Sequence, residues 1–155
     1  MNITYIKGDL FEMMNACSSS NHLIIHICND IGKWGKGFVL AISKKWKRPQ
    51  IEYLALTEYI MGNVQFIKVE SNISVANIIA QKGINSMHGT PICRVDYDVL
   101  KNCLRSVNQY ATTYKCHIHM PLIGCGLAGG QWSIVSEIIK QTFDPSVAIY
   151  VYSLE

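Results

Sequence analysis

The sequence predicts a layered α/β sandwich in which helices cover both faces of a mixed, largely parallel sheet of about six strands. Three observations predict it. Six short apolar runs rich in β-branched residues recur along the 155 residues. Stretches with helical spacing of apolar positions separate them. The central runs are apolar throughout, as in strands covered on both faces. With 49% hydrophobic and 16% charged residues the chain can bury a full core, which excludes the disordered and fibrous classes. Its length fits one domain over residues 1–155.

The elements follow in order. Residues 1–7 alternate as a strand, with residues 3–7 its apolar part, and a short helix over 9–16 comes next. The run 23–28 is the second strand. After it Phe38, Ala41, Ile42 and Trp46 share one helical face. Pro49 suits the first turn of a helix over 50–60. Runs 64–69 and 75–81, with Glu70-Ser71-Asn72 between them, form the one hairpin. Val95, Val99, Cys103 and Val107 recur at helical spacing behind Asp96, a suitable N-cap. The fifth strand, 116–123, carries His117 and His119 on one face. A last helix starts near Gln131, has Val135, Ile138, Ile139 and Phe143 as its stripe, and stops before Pro145. The run 147–152 completes the sheet.

No run approaches the ~20 apolar residues of a membrane span. The amino-terminal segment has no basic region leading into an apolar one, so a secretory signal is not expected and the cytoplasm is the expected compartment. Six cysteines are scattered without a C-x-x-C pair, which supports neither a zinc site nor a disulfide framework. No motif asks for a metal or a cofactor. Six of the fourteen Lys and Arg residues fall between Lys33 and Arg48, among no acidic residue. They suit an anionic ligand nearby or a solvated helix end. No basic stripe is interleaved with aromatics, so nucleic acid is not an expected partner.

Ligands of open parallel sheets sit at the carboxyl ends of the strands, which directs attention to two glycine-rich loops. The loop after strand two reads His26-Ile27-Cys28-Asn29-Asp30-Ile31-Gly32-Lys33-Trp34-Gly35-Lys36-Gly37-Phe38 and enters a helix, whose free N–H groups suit an anion. It matches neither a P-loop nor a dinucleotide fingerprint. The loop after strand five reads Gly124-Cys125-Gly126-Leu127-Ala128-Gly129-Gly130-Gln131-Trp132. Four glycines in seven residues are a costly way to make a simple connection. Two such loops at one sheet edge make a cleft suited to a diphosphate.

At these motifs the sequence resembles the macrodomains. The resemblance is carried by Lys7-Gly8-Asp9-Leu10, by Asn29-Asp30 followed by Gly35-Lys36-Gly37, by Met120-Pro121-Leu122-Ile123-Gly124-Cys125-Gly126-Leu127, and by Val151-Tyr152-Ser153-Leu154. It spans essentially the whole chain. It implies a three-layer α/β/α sandwich that binds ADP-ribose, free or on a modified protein, without a cofactor. It further implies that Asp9 accepts a hydrogen bond from the adenine amine, with Leu10 beside it and Tyr152 against the ring. Gly124, Cys125, Gly126, Leu127, Ala128 and Gly129 would wrap the diphosphate and distal ribose. Gly35, Lys36, Gly37 and Phe38 would close the other side, with Gln81 also at the ligand. Trp132 reads as packing behind the loop.

The short Gly-Cys-Gly-Leu form resembles a glycohydrolase branch that uses a lysine nucleophile and an aspartate. Here the aspartate position is Ala128, and the lysine position falls on Gln81 or, shifted by one, on Lys82. The His26-Ile27-Cys28-Asn29 and Trp34-Gly35-Lys36-Gly37 forms resemble the branch that removes phosphate from ADP-ribose 1″-phosphate. The leading expectation is therefore hydrolysis at the distal ribose C1″ with phosphate release. Asn29 would orient the distal ribose, and His26 or Asp30 would position or deprotonate water. Hydrolysis of ADP-ribosyl-glutamate, deacetylation of O-acetyl-ADP-ribose and binding without turnover are the alternatives. A histidine in an apolar strand also suits a hydrogen-bonded core position, Asp30 a turn, and residues 83–91 a cover over the distal ribose.

Overall fold

The computed structural model describes residues 3–14, 20–86 and 88–154. The chain runs β1 (Ile3–Lys7), α1 (Leu10–Met14), β2 (Asn21–Asn29), α2 (Phe38–Lys45), α3 (Arg48–Leu54), β3 (Val64–Glu70), β4 (Ile73–Gln81), α4 (Tyr97–Tyr114), β5 (Cys116–Met120), α5 (Trp132–Thr142) and β6 (Ile149–Ser153). One six-stranded sheet has the order β1-β6-β5-β2-β4-β3. Every pairing is parallel except the β3–β4 hairpin. The expected residues Asn15 and Ala16 of the first helix, the leading Met1 and Asn2 and also Cys17 lie outside the described residues.

The strands are apolar on both faces because both faces are covered. Leu23, Ile25, Ala76, Ile78, Ile118 and Val151 pack against Leu100, Leu104, Val107, Val135 and Ile139 of α4 and α5. Ile24, Cys28, Val75, Ile79 and Tyr152 pack on the other side against Leu10 of α1, Ile42 of α2 and Tyr53 of α3. This is the three-layer sandwich. Asp96 caps α4 through Val99 N–H at 3.1 Å, as its spacing predicts.

Two elements are shorter than their sequence patterns. β5 stops at Met120, not 123, because Pro121 has no N–H to give a ladder and Ile123 N–H turns back to the Pro121 carbonyl at 2.7 Å. α3 is Arg48–Leu54, not 50–60. Beyond it, Leu56, Tyr59 and Met61 leave the helix and pack into the cluster around Tyr53. The Tyr53 and Tyr59 rings lie 4.9 Å apart. Core packing outweighs helical spacing there.

Polar groups are also built into this core. His26 is 2% exposed, and its Nε2 donates to Asn77 Oδ1 at 2.6 Å. Asn77 donates in turn to the Pro49 carbonyl at 3.0 Å and to Gln65 Oε1 at 3.1 Å, tying α3 to the sheet. Burial pulls His26 down to about 4 against the Asn77 hydrogen bond, and burial together with His22 and His117 pulls His119 down to about 3. Both are neutral in the fold, whereas the unfolded chain protonates them below about 6.5. Stability is therefore expected to be complete above about pH 6.5. It should fall as pH drops toward about 4 for His26 and about 3 for His119, with a slope of at most ~1.4 kcal/mol per pH unit per histidine. Urea midpoints at pH 7.5 and pH 5 test this, and equal midpoints would refute it.

Candidate functional site

The parallel strands β1, β6, β5, β2 and β4 all end at one sheet edge, and the loops that leave them enclose a cleft. A cavity of about 600 Å³ is lined by Gly8, Asp9, Leu10, Phe38 and Tyr152, among others. A second of about 860 Å³ is lined by Asn29, Lys33, Trp34, Gly35, Lys36, Gln81, Asn85, Gly126 and Leu127, among others. The glycine loops meet at this cleft: a Cβ on Gly37 would lie 3.8 Å from Leu127 Cδ1.

In the first cavity Asp9 Oδ1 accepts the N–H groups of Phe11 at 2.8 Å and Glu12 at 3.2 Å, capping α1. Its Oδ2 makes no hydrogen bond among the described residues and stays available as an acceptor. Tyr152 is buried, with its hydroxyl 2.8 Å from His119 Nδ1.

The second cavity is framed by two amides. Asn29 Oδ1 accepts the N–H groups of Ile31 and Lys33, both at 3.1 Å, and the Tyr53 hydroxyl at 2.9 Å, while its Nδ2 donates to the Lys33 carbonyl at 2.8 Å. The side chain expected to orient a ribose thus shapes its own loop, while the second hydrogen of its Nδ2 makes no hydrogen bond among the described residues. Asn85 Nδ2 donates to the carbonyls of Ile92 at 2.8 Å and Leu127 at 3.0 Å, and its Oδ1 accepts Arg94 Nε at 3.1 Å. Ile84, Asn85, Ser86, Gly89 and Pro91 border the cavity, and Asn85, which carries no motif in the sequence, holds this stretch to the glycine loop. Tyr53 was missed too, since a helical tyrosine reads as core.

Asp30 stands beside this cavity without lining it, and its Oδ1 accepts Gly83 N–H at 2.8 Å. Its other oxygen makes no hydrogen bond among the described residues. His26, expected as a catalytic candidate, lines neither cavity. Its ring is edge-on to Trp34 at 5.4 Å within the core, and its Nε2–H is spent on Asn77. The histidine expected to position or deprotonate water is thus buried, with its Nε2 hydrogen-bonded to Asn77 and its side chain apart from both cavity linings.

The loop after β5 frames the cleft with its backbone. Gly124 and Gly129 have φ of +74° and +76°, and Gly130 N–H returns to the Gly124 carbonyl at 2.7 Å. Arg94 N–H bonds the Ala128 carbonyl at 2.7 Å. Burial and Cys93 raise the Cys125 thiol to about 11, and burial raises Cys28, so neither is a ready nucleophile. Trp132 packs edge-on against Tyr5 at 6.4 Å and against the larger hydrophobic cluster. No group of His, Cys, Asp and Glu among the described residues is arranged to hold a metal ion. Among them, no helix is long and apolar enough to cross a membrane.

No family model matches the chain. It is 34% identical to a solved macrodomain protein from Streptomyces coelicolor, covering 98% of this chain and 99% of that one with a TM-score of 0.80. The chain is a macrodomain. Two curated relatives align with this macrodomain over nearly their full lengths. An ADP-ribose 1″-phosphate phosphatase of Candida albicans is 27% identical, over 96% of this chain and 99% of its own. The ADP-ribose glycohydrolase OARD1 of Bos taurus is 29% identical, over 98% and 91%.

Proposed function

We propose that this macrodomain, acting as one domain over residues 1–155, binds ADP-ribose derivatives and releases phosphate from ADP-ribose 1″-phosphate. The observation that carries the reading is the chemistry of the second cavity, which has Lys33 and Lys36 at its wall and no carboxylate among its lining residues. A phosphomonoester dianion is favoured by such a wall and by backbone N–H groups. In this reading Asp9 Oδ2 accepts the adenine amine, Tyr152 flanks the ring, and the diphosphate crosses between the two glycine loops. Asn29 acts as a positioning residue by holding the 29–33 turn, and Asp30, next to it in the chain, orients the attacking water with the carboxylate oxygen that Gly83 leaves free. A lysine-nucleophile mechanism is disfavoured. Gln81, not Lys82, lines the cavity, its Nε2 is donated to the Gly83 carbonyl at 2.9 Å, and Ala128 supplies no carboxylate.

One observation favours a second reading. With His26 in the core, no general base lines the second cavity among the described residues, which suits a module that binds without turnover. Phosphate release from ADP-ribose 1″-phosphate, with ADP-ribose calorimetry on the same protein, separates the two. Under the phosphatase reading Asp30→Ala is expected to abolish turnover while keeping ADP-ribose affinity within about tenfold. Unchanged turnover would remove Asp30 from the mechanism, and tight binding without any phosphate release by the wild type would overturn the phosphatase reading in favour of a binding module or a hydrolase of ADP-ribosyl-protein linkages.

A further inference from the structure

We infer that His119 is a positioning residue for recognition of the adenine base, acting through Tyr152. The inference rests on the reading that the cavity formed by Gly8, Asp9 and Tyr152 receives adenine. Parallel pairing of β2, β5 and β6 brings His22, His119 and Tyr152 onto one face of the sheet. There His22 Nδ1 lies 2.9 Å from His119 Nε2, and His119 Nδ1 lies 2.8 Å from the Tyr152 hydroxyl. His119 is 2% exposed, and its ring stacks on Tyr150 at 5.2 Å and 12°.

A neutral imidazole has one N–H and one acceptor nitrogen, so a histidine using both nitrogens must pass hydrogen-bond polarity from one partner to the other. Either Tyr152 donates inward to Nδ1 and Nε2–H donates to His22, or His22 donates to Nε2 and Nδ1–H donates to Tyr152. Both arrangements pin the hydroxyl at the end of the ring. Tyr152 also lines the cavity that holds Asp9. The angle of its ring is therefore set from behind, by a residue that lines neither cavity. A planar base accepted at Asp9 lies against that wall, so the orientation of the wall decides how well the base amine meets the carboxylate.

Calorimetry with three ligands tests this: ADP-ribose, its hypoxanthine analogue, in which the amine donor becomes an oxo acceptor, and ribose 5-phosphate, which has no base. For His119→Phe, which keeps a ring but neither hydrogen bond, ADP-ribose affinity is expected to fall about tenfold. Its preference over the hypoxanthine analogue should shrink with it, and ribose 5-phosphate should bind as before. Tyr152→Phe removes one oxygen atom, keeps the ring and should reproduce the effect. Asn places a polar atom near the Nδ1 position and Gln near Nε2, so His119→Asn should restore selectivity where His119→Gln does not. The inference is overturned if His119→Phe and Tyr152→Phe keep ADP-ribose affinity within about twofold, or if Gln rescues as well as Asn. A wild type that binds ADP-ribose with no preference for adenine would overturn the cavity reading itself, and the inference with it.

Discussion

Gly129→Ala is expected to weaken ADP-ribose binding at least about a hundredfold while leaving the protein folded. Two independent costs meet at this position. A φ of +76° belongs to the left-handed region, where an alanine is strained by ~1–2 kcal/mol. The added Cβ would also fall 2.6 Å from the Ile92 carbonyl oxygen, a backbone atom that a rotamer change cannot move aside. The loop must lift away from segment 92–94 and loosen the Arg94–Ala128 hydrogen bond that fixes it there. If, as proposed, the diphosphate crosses between the glycine loops, backbone N–H groups displaced by ~1 Å lose much of their value to it, which is the source of the large effect. The loop gives only Ile123 and Ala128 to the buried residues of the larger hydrophobic cluster, so global stability should fall by only a few kcal/mol. Calorimetry and urea unfolding of the same variant check both parts. Gly35→Ala is the stability control, since its Cβ would meet nothing within 4 Å. Binding by Gly129→Ala within about threefold of wild type would refute the expectation.

Asn77→Ala should destabilise the protein by ~3–5 kcal/mol. The side chain is fully buried and serves three partners: the His26 Nε2–H, the Pro49 carbonyl and Gln65 Oε1. Removing it strands one buried donor and two acceptors, each costing ~1–3 kcal/mol unless the site relaxes. The loss should reach the cleft as well. Pro49 lies in the first turn of α3, and α3 carries Tyr53, whose hydroxyl holds both the Asn29 carbonyl at 2.8 Å and its Oδ1 at 2.9 Å. Urea unfolding measures the first effect and ADP-ribose affinity the second. A loss below ~1 kcal/mol would show that the network is dispensable.

The fold was legible in the sequence because its signals are local. Apolar runs marked every strand and Asp96 marked the start of α4. The two misjudged ends, at Pro121 and after Leu54, are places where one missing N–H or the pull of Tyr59 into the core overrides a pattern. The cleft was legible to the extent that glycine announces it, since Gly124 and Gly129 need their positive φ. What holds the cleft was not legible. Tyr53 reaches Asn29 from 24 positions away, and Asn85 reaches Leu127 from 42. An asparagine or tyrosine that serves a distant carbonyl carries no local mark of doing so. His26 shows the converse, a polar residue beside the key loop whose partner, Asn77, lies 51 positions along the chain and turns it inward.

The pairing of β1 with β6, which sets Ile3 beside Ile149 and Lys7 beside Ser153, has a consequence for how the molecule is made. A parallel contact between strands so far apart closes a very large loop, a topology that slows folding. On the ribosome, β1 waits at the sheet edge with no neighbour until residues 149–153 have emerged. Gly8 N–H, which bonds the Ser153 carbonyl at 2.9 Å, waits with it. The half of the cleft built from Gly8, Asp9 and Tyr152 is then among the last parts to form during synthesis. A nascent chain stalled before residue 149 would carry the β2–β4 hydrogen-bond ladder but no complete pocket for a base.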